Sequence, residues 1–217
     1  MLELDFTIKA IPDLAKGMVI AFNFTALSLT LSILLASLLT GLRALNVAAI
    51  NVALTAYVTY IRGTPLLVQI FVIYYLLPNV GLSLPPYVAG LIAFVLNSAA
   101  IMHEVMRGGV TSIARGQYES AKAIGMSVAS TWRYIVIPQV LIKITPQIIN
   151  EFMILLKGTP LLAFISIVEV FRTAQLMYSS NYRPLEVLIG AALIFFVVNF
   201  VISQAGTLIE RRLAKRC

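Results

Sequence analysis

Charge is the scarcest property of this 217-residue chain: Asp, Glu, Lys and Arg supply 12% of it, about half the ~25% typical of a soluble domain. None falls from Gly17 to Leu42, from Gly63 to Met102, or from Val187 to Ile209. A helix crosses about 30 Å of hydrocarbon with about 20 apolar residues, so each run is long enough to span a bilayer. Cysteine is represented only by Cys217, which excludes an internal disulfide, and metal-ligand spacing is missing. No Gly-rich phosphate loop ending in Lys-Ser or Lys-Thr occurs, so ATP hydrolysis by this chain is not expected. The chain opens with Glu3 and Asp5 where a signal peptide would carry basic residues, so a cleaved leader is not expected either.

What is present is hydrophobic: 60% of the residues, with a mean hydropathy of +0.94. The formal charge of +7 does not form a basic domain for nucleic acid. Its residues lie between the apolar runs, where they act as orientation signals. The runs predict five spans: about 17–42, within 47–77, about 86–106, within 144–168, and about 185–209. They form one all-α membrane domain over 1–217, with a loop at about 107–143. That loop holds Arg107, Arg115, Lys122, Arg133 and Lys143 against Glu119, and Arg211, Arg212, Lys215 and Arg216 follow the last span. The expected orientation is therefore N-out and C-in. The region Glu169 to Glu186 is balanced in charge and reads as an external connection. Trp132 and the tyrosines read as interface anchors.

One segment repeats. Arg62-Gly63-Thr64-Pro65-Leu66-Leu67 returns as Lys157-Gly158-Thr159-Pro160-Leu161-Leu162. Proline lacks an N–H and clashes with the carbonyl four residues back, so the carbonyls of Ile61 and Leu156 are expected to be freed. The threonine before it is pushed out of helical geometry. Broken helices at mid-depth line a polar cavity or are buried in protein; the alternative is two simple kinks.

The loop carries the most specific pattern. Gln117 to Gly125 reads as a short helix stopped by the glycine. Ser127 and Ser130 can cap a new helix before Trp132, and Ile135-Val136-Ile137-Pro138 follows. This resembles the loop of ABC importer permeases: Glu-Ala-Ala, three residues, Gly, nine residues, Ile-x-Leu-Pro. Glu119, Ala121, Gly125, Ile135 and Pro138 match; Ser120 and Ile137 are mild departures. Tyr60 to Gln69, Asn97 to Ala100, Glu104, Arg107 to Gly109, Asn150 to Phe152 and Glu210 to Leu213 are similar to the polar amino-acid permeases within that group. Where that family usually has Lys-Asp-Thr-Ser, this chain has Lys157-Gly158-Thr159-Pro160 and lacks the carboxylate.

The resemblance implies two permease chains, identical or related, around one path in a bacterial inner membrane. It implies two ABC ATPase subunits, with ATP and Mg on them, docked through Glu119, Ser120, Ala121 and Gly125. It also implies an external binding protein that delivers an amino acid. An ion-coupled secondary transporter and a non-transporting scaffold are the alternatives, and neither needs such a loop.

For a substrate zwitterion, Lys157 or the amides after Pro160 can meet the carboxylate. Glu104, Glu151 and the Leu156 carbonyl can meet ammonium groups, with Asn97 and Thr159 nearby. Asn97 and Glu104 are seven apart and share a helix face. Each has an alternative: Glu151 paired with Lys157, Glu104 paired with Arg107, Asn97 bonded between helices. Two intramembrane carboxylates lean toward a cationic amino acid. His103 reads as an interfacial packing residue.

Overall fold

The computed structural model describes the backbone over residues 4–214 and side chains over 6–213. Glu3, Lys215, Arg216 and Cys217 lie outside the described residues, as does the Asp5 side chain. Nine α-helices follow in order among the described residues: α1 Leu4–Ala44, α2 Ala48–Gly63, α3 Leu66–Phe71, α4 Pro86–Thr111, α5 Arg115–Ala123, α6 Val128–Thr131, α7 Ile137–Gly158, α8 Val170–Asn181 and α9 Pro184–Ala214. Four stretches are long and apolar enough to cross a membrane: Phe6–Ala44, Pro86–Thr111, Val128–Ile165 and Pro184–Leu213. The second expected span is a bent pair, Ala48–Gly63 and Leu66–Val80, turned by 108°. Counted as one crossing, it makes five.

Helix α1 is the spine. It packs most extensively on α4 and also borders α9, α8 and α7. Its buried face changes partners along its length. Ala10, Leu14, Met18 and Ala21 meet Val170, Ala174, Val187 and Ala191. Phe24 stands edge-on to Phe94 at 5.2 Å and joins Leu155, Leu162 and Ile165. Ala36 closes a third cluster with Met102, Met106, Val140 and Ile144. Small residues set the approach, as bilayer helices require. A Cβ on Gly109 would lie 2.7 Å from Ile144 Cγ2.

The loop from α4 to α7 is built as the sequence indicates. Helix α5 stops at Ala123, and Gly125 takes φ +77°. The Met126 amide donates to Ala121 O and the Gly125 amide to Lys122 O, the paired bonds of a Schellman ending. Ser127 caps α6 by accepting from the Ser130 amide at 3.2 Å. A π turn, Trp132–Val136, joins α6 to α7, so the Ile135–Pro138 motif opens a spanning helix. The base of the loop is clamped: Lys143 Nζ donates to Ser112 O at 2.8 Å and to Ser112 Oγ at 3.1 Å.

The connection before α9 contains a helix that hydropathy does not reveal. Helix α8 is capped by Glu169, whose carboxylate accepts from the Phe171 amide at 2.9 Å and the Arg172 amide at 2.8 Å. It presses against α1 at Gly17, where a Cβ would lie 2.8 Å from Val170 N. Glu169 is fully buried, and burial pushes its carboxyl up to about 7 against the opposing pull of those two amides. A raised folded-state value favours the protonated form. Its contribution to stability is therefore full below the ordinary 4.5 and is lost as pH rises through about 7. The thermal midpoint of the detergent-solubilised protein should fall across that window, and Glu169→Gln should flatten the fall. An undiminished fall in the variant would absolve Glu169.

Candidate substrate site

The two Gly-Thr-Pro segments adopt different backbones. At the first, Thr64 is extended (φ −122°, ψ 141°) and the helix breaks. At the second, Thr159 stays helical (φ −58°, ψ −28°) and the chain runs on as a 3-10 turn, Thr159–Ile165, to a left-handed Ser166. The expectation that proline unwinds the residue before it therefore holds at Thr64 and not at Thr159. Packing explains the difference. Thr159, Leu162 and Ile165 are in the core, and Leu162 Cδ2 reaches to 2.8 Å from where a Cβ on Gly90 would be. Pro160 falls in the first turn of the 3-10 helix, where an N–H is not needed.

Both freed carbonyls are satisfied within the chain. Gln69 Nε2 donates to Ile61 O at 3.0 Å, Thr64 O at 3.2 Å and Thr64 Oγ1 at 2.9 Å. Its Oε1 accepts from Asn97 Nδ2 at 3.0 Å. Gln69 thus bridges the break in α2 to α4. At the second segment, Thr159 Oγ1 donates to Leu156 O at 2.8 Å. The Leu156 carbonyl, expected to be open to substrate, is occupied from inside.

Around the first break lies a cavity of about 730 Å³, within the ~300–1,000 Å³ of small-molecule sites. Ile61, Arg62 and Thr64 line one side, Asn97 and Glu104 of α4 a second, and Gly158 of α7 a third. Both copies of the repeat therefore border one space. Glu104 is gripped by Arg107, at 3.2 Å from Nε to each oxygen and 2.6 Å from Nη2. Arg62 is exposed and has no ion pair among the described residues. Asn97 and Glu104 share the cavity, as their spacing predicts.

The other expected site residues lie elsewhere. Lys157 is exposed and is not part of the lining, Leu156 is fully buried, and Thr159 is turned inward. Glu151 is 2% exposed and also outside the lining. It faces the Ser98 hydroxyl between α7 and α4 without a hydrogen bond of ordinary geometry, and no ion pair joins it to Lys157. His103 is fully buried, with Nδ1 2.9 Å from Thr40 Oγ1 between α4 and α1, as a packing residue should be. Gln69 and Arg62 are the residues that sequence reasoning passed over as site groups. The signal for Gln69 was a glutamine inside the uncharged run 63–102, four residues after Pro65.

Residues 28–215 match the family of binding-protein-dependent transport system inner membrane components. The chain belongs to this family. It is 36% identical over 203 residues, 93% of this chain and 87% of the relative, to the L-cystine transport system permease protein TcyB of Bacillus subtilis (strain 168). The arginine transport system permease protein ArtQ of the same organism is 31% identical over 215 residues, 98% of each chain. A crystal structure of an amino acid ABC transporter with histidines superposes with a TM-score of 0.91 at 32% identity, covering 98% of this chain and 99% of that one. The chain is thus a permease subunit of an amino-acid ABC transporter, a multi-pass protein of the bacterial inner membrane. Its relatives are permease components rather than enzymes, and the secondary-transporter alternative is not favoured.

The Gln69 bridge makes a stability prediction. Gln69→Leu keeps much of the volume but strands the Ile61 carbonyl and the Asn97 amide. Leaving such groups unpaired costs about 1–3 kcal/mol. Thermal unfolding should show a loss of that order, while Gln69→Glu, which keeps the Asn97 bond but turns a buried carboxylate oxygen toward the Ile61 and Thr64 carbonyls, should lose more.

Proposed function

We propose that the permease imports a polar amino acid, held as a zwitterion in the α2–α4–α7 cavity. The observation that carries this reading is the pairing, in one space, of an unpartnered guanidinium with a carboxylate and a side-chain amide. Arg62 receives the substrate carboxylate, Glu104 its ammonium group, and Asn97, held by Gln69, fixes its tilt. Relatives are named for L-cystine and for arginine, so the family accommodates different side chains. A cationic side chain is the finer reading. With Glu151 outside the lining and Glu104 assigned to the ammonium group, no second lining carboxylate is left for a side-chain cation, and competition by arginine against glutamine decides it.

The working unit in this proposal has two permease chains, the second a copy or a related chain. Two ABC ATPases bearing ATP and Mg sit on the basic face, and a binding protein delivers substrate from outside. The excess of Lys and Arg in the loop supports a cytoplasmic position for that face and an external N-terminus. Helix α5 suits docking: Glu119 and Ser120 are exposed, Ala121 is buried, and Gly125 meets nothing within 4 Å of its Cβ position. Ile124 and Val128 stand 76% and 77% exposed beside it. These apolar side chains stand on the basic loop itself, where a protein partner would cover them.

Two measurements test the proposal. Glu104→Gln removes a charge-assisted hydrogen bond worth about 1.5–3 kcal/mol, so amino-acid affinity of the assembled transporter should fall about ten- to a hundredfold. Glu151→Gln should leave affinity unchanged. The reverse pattern would move the site to Glu151. Ile124→Glu should leave the chain inserted and folded but abolish ATP-driven uptake in proteoliposomes; normal uptake would exclude this face as the docking surface.

A further inference from the structure

A second cavity, of about 660 Å³, opens at the basic end of the bundle. It lies between the last turns of α1, the last turns of α4 and the start of α7. Its walls are apolar: Met106, Val110, Val140, Leu141 and Ile144, with Trp132 beside them. The hydroxyls along it are occupied by the fold. Ser37 donates to Ile33 O, Thr40 to Ala36 O and Thr111 to Gly108 O. The walls therefore offer little to a polar solute and much to a hydrocarbon chain.

The rim differs. Arg43 of α1 and Arg107 of α4 border the same space. The facing carboxylate is Glu104, which Arg107 already holds. The Arg43 guanidinium has no hydrogen bond or ion pair among the described residues. Two guanidiniums against one carboxylate leave a net positive rim. Arg43 directly follows the uncharged run 17–42, which places it at the water boundary of the bilayer. A tryptophan is at home at the same depth.

We propose that this cleft is a binding site for an anionic phospholipid of the leaflet that faces the basic loop. One acyl chain lies along Val110, Ile137 and Leu141, which keep accessible surface in the cleft, and the phosphodiester is held by Arg43. The occupant is fixed by complementarity: an apolar slot entered from hydrocarbon depth, with a single unpaired cation where the headgroups lie. Basic pockets between spanning helices on the cytoplasmic side recognise such headgroups in this way. The site is separate from the amino-acid cavity, since neither Arg43 nor Trp132 lines that space.

The sequence supplies its own reporter, because Trp132 is the only tryptophan. Bromine on an acyl chain quenches indole fluorescence at contact, so quenching in this chain reads the cleft alone. The full-length permease is reconstituted in phosphatidylcholine nanodiscs. A minor fraction of the lipid is replaced by acyl-brominated phosphatidylglycerol or, at the same fraction, by acyl-brominated phosphatidylcholine. The phosphatidylglycerol should be enriched at Trp132 about fivefold over phosphatidylcholine, the preference expected of one basic residue at an anionic surface. Arg43→Gln should abolish the preference and Arg43→Lys retain most of it. Equal quenching by the two lipids in the native protein would overturn the proposal, as would a preference that persists in Arg43→Gln. Failure of both lipids to quench would show that protein fills the cleft, from a second copy or a partner, and would overturn it equally.

Discussion

A backbone that crosses hydrocarbon has no water to satisfy it, so each N–H and C=O must find a partner inside the protein. This requirement governs where the chain can deviate from a helix. It deviates at two prolines within apolar segments, and each time a side chain a few residues away takes over the carbonyl that proline leaves behind. At Pro65 the substitute is Gln69, and at Pro160 it is Thr159. The first solution permits a turn of 108° and opens a cavity against α4. The second keeps the chain nearly straight and fills the core. One motif thus gives a bent wall and a packed wall to the same space.

Charge follows the same logic. Glu104 lies near the end of α4 and can be ionised there because Arg107 grips it through three contacts. Glu151 has no cationic partner among the described residues and is enclosed between helices. A lone buried charge is costly in such a setting, which separates two carboxylates that look equivalent in the sequence. The difference lies in the neighbours brought by tertiary packing, and those are not adjacent in the chain.

The spans were legible because their lengths are set by the bilayer rather than by particular neighbours. The ending of α5 at Gly125 and the cap at Ser127 were legible because both are local, formed within six residues. Asn97 and Glu104 fell together because helix periodicity fixes their shared face. Where long-range contacts decide, the sequence was silent. The helical state of Thr159 depends on Leu162 packing over Gly90, some seventy residues away. The capture of Ile61 O by Gln69 requires the chain to have already turned. Helix α8 was hidden because its hydrophobic content is ordinary, and only its seat on Gly17 and its Glu169 cap give it a reason to form.

The clamp between Lys143 and Ser112 has a mechanical consequence. It ties the entry to the basic loop to its exit, so the 112–143 segment is a closed ring rather than a free tether. A closed ring has no slack: displacement of α5 is shared between the end of α4 and the start of α7. Those two rods carry Glu104 and Gly158 at their other contacts with the α2 break. Torque applied at the surface is therefore delivered to opposite walls of one chamber at once, and the Lys143–Ser112 clamp, with the packing of Ile113 among Val136 and Val140 beside it, sets how faithfully it arrives.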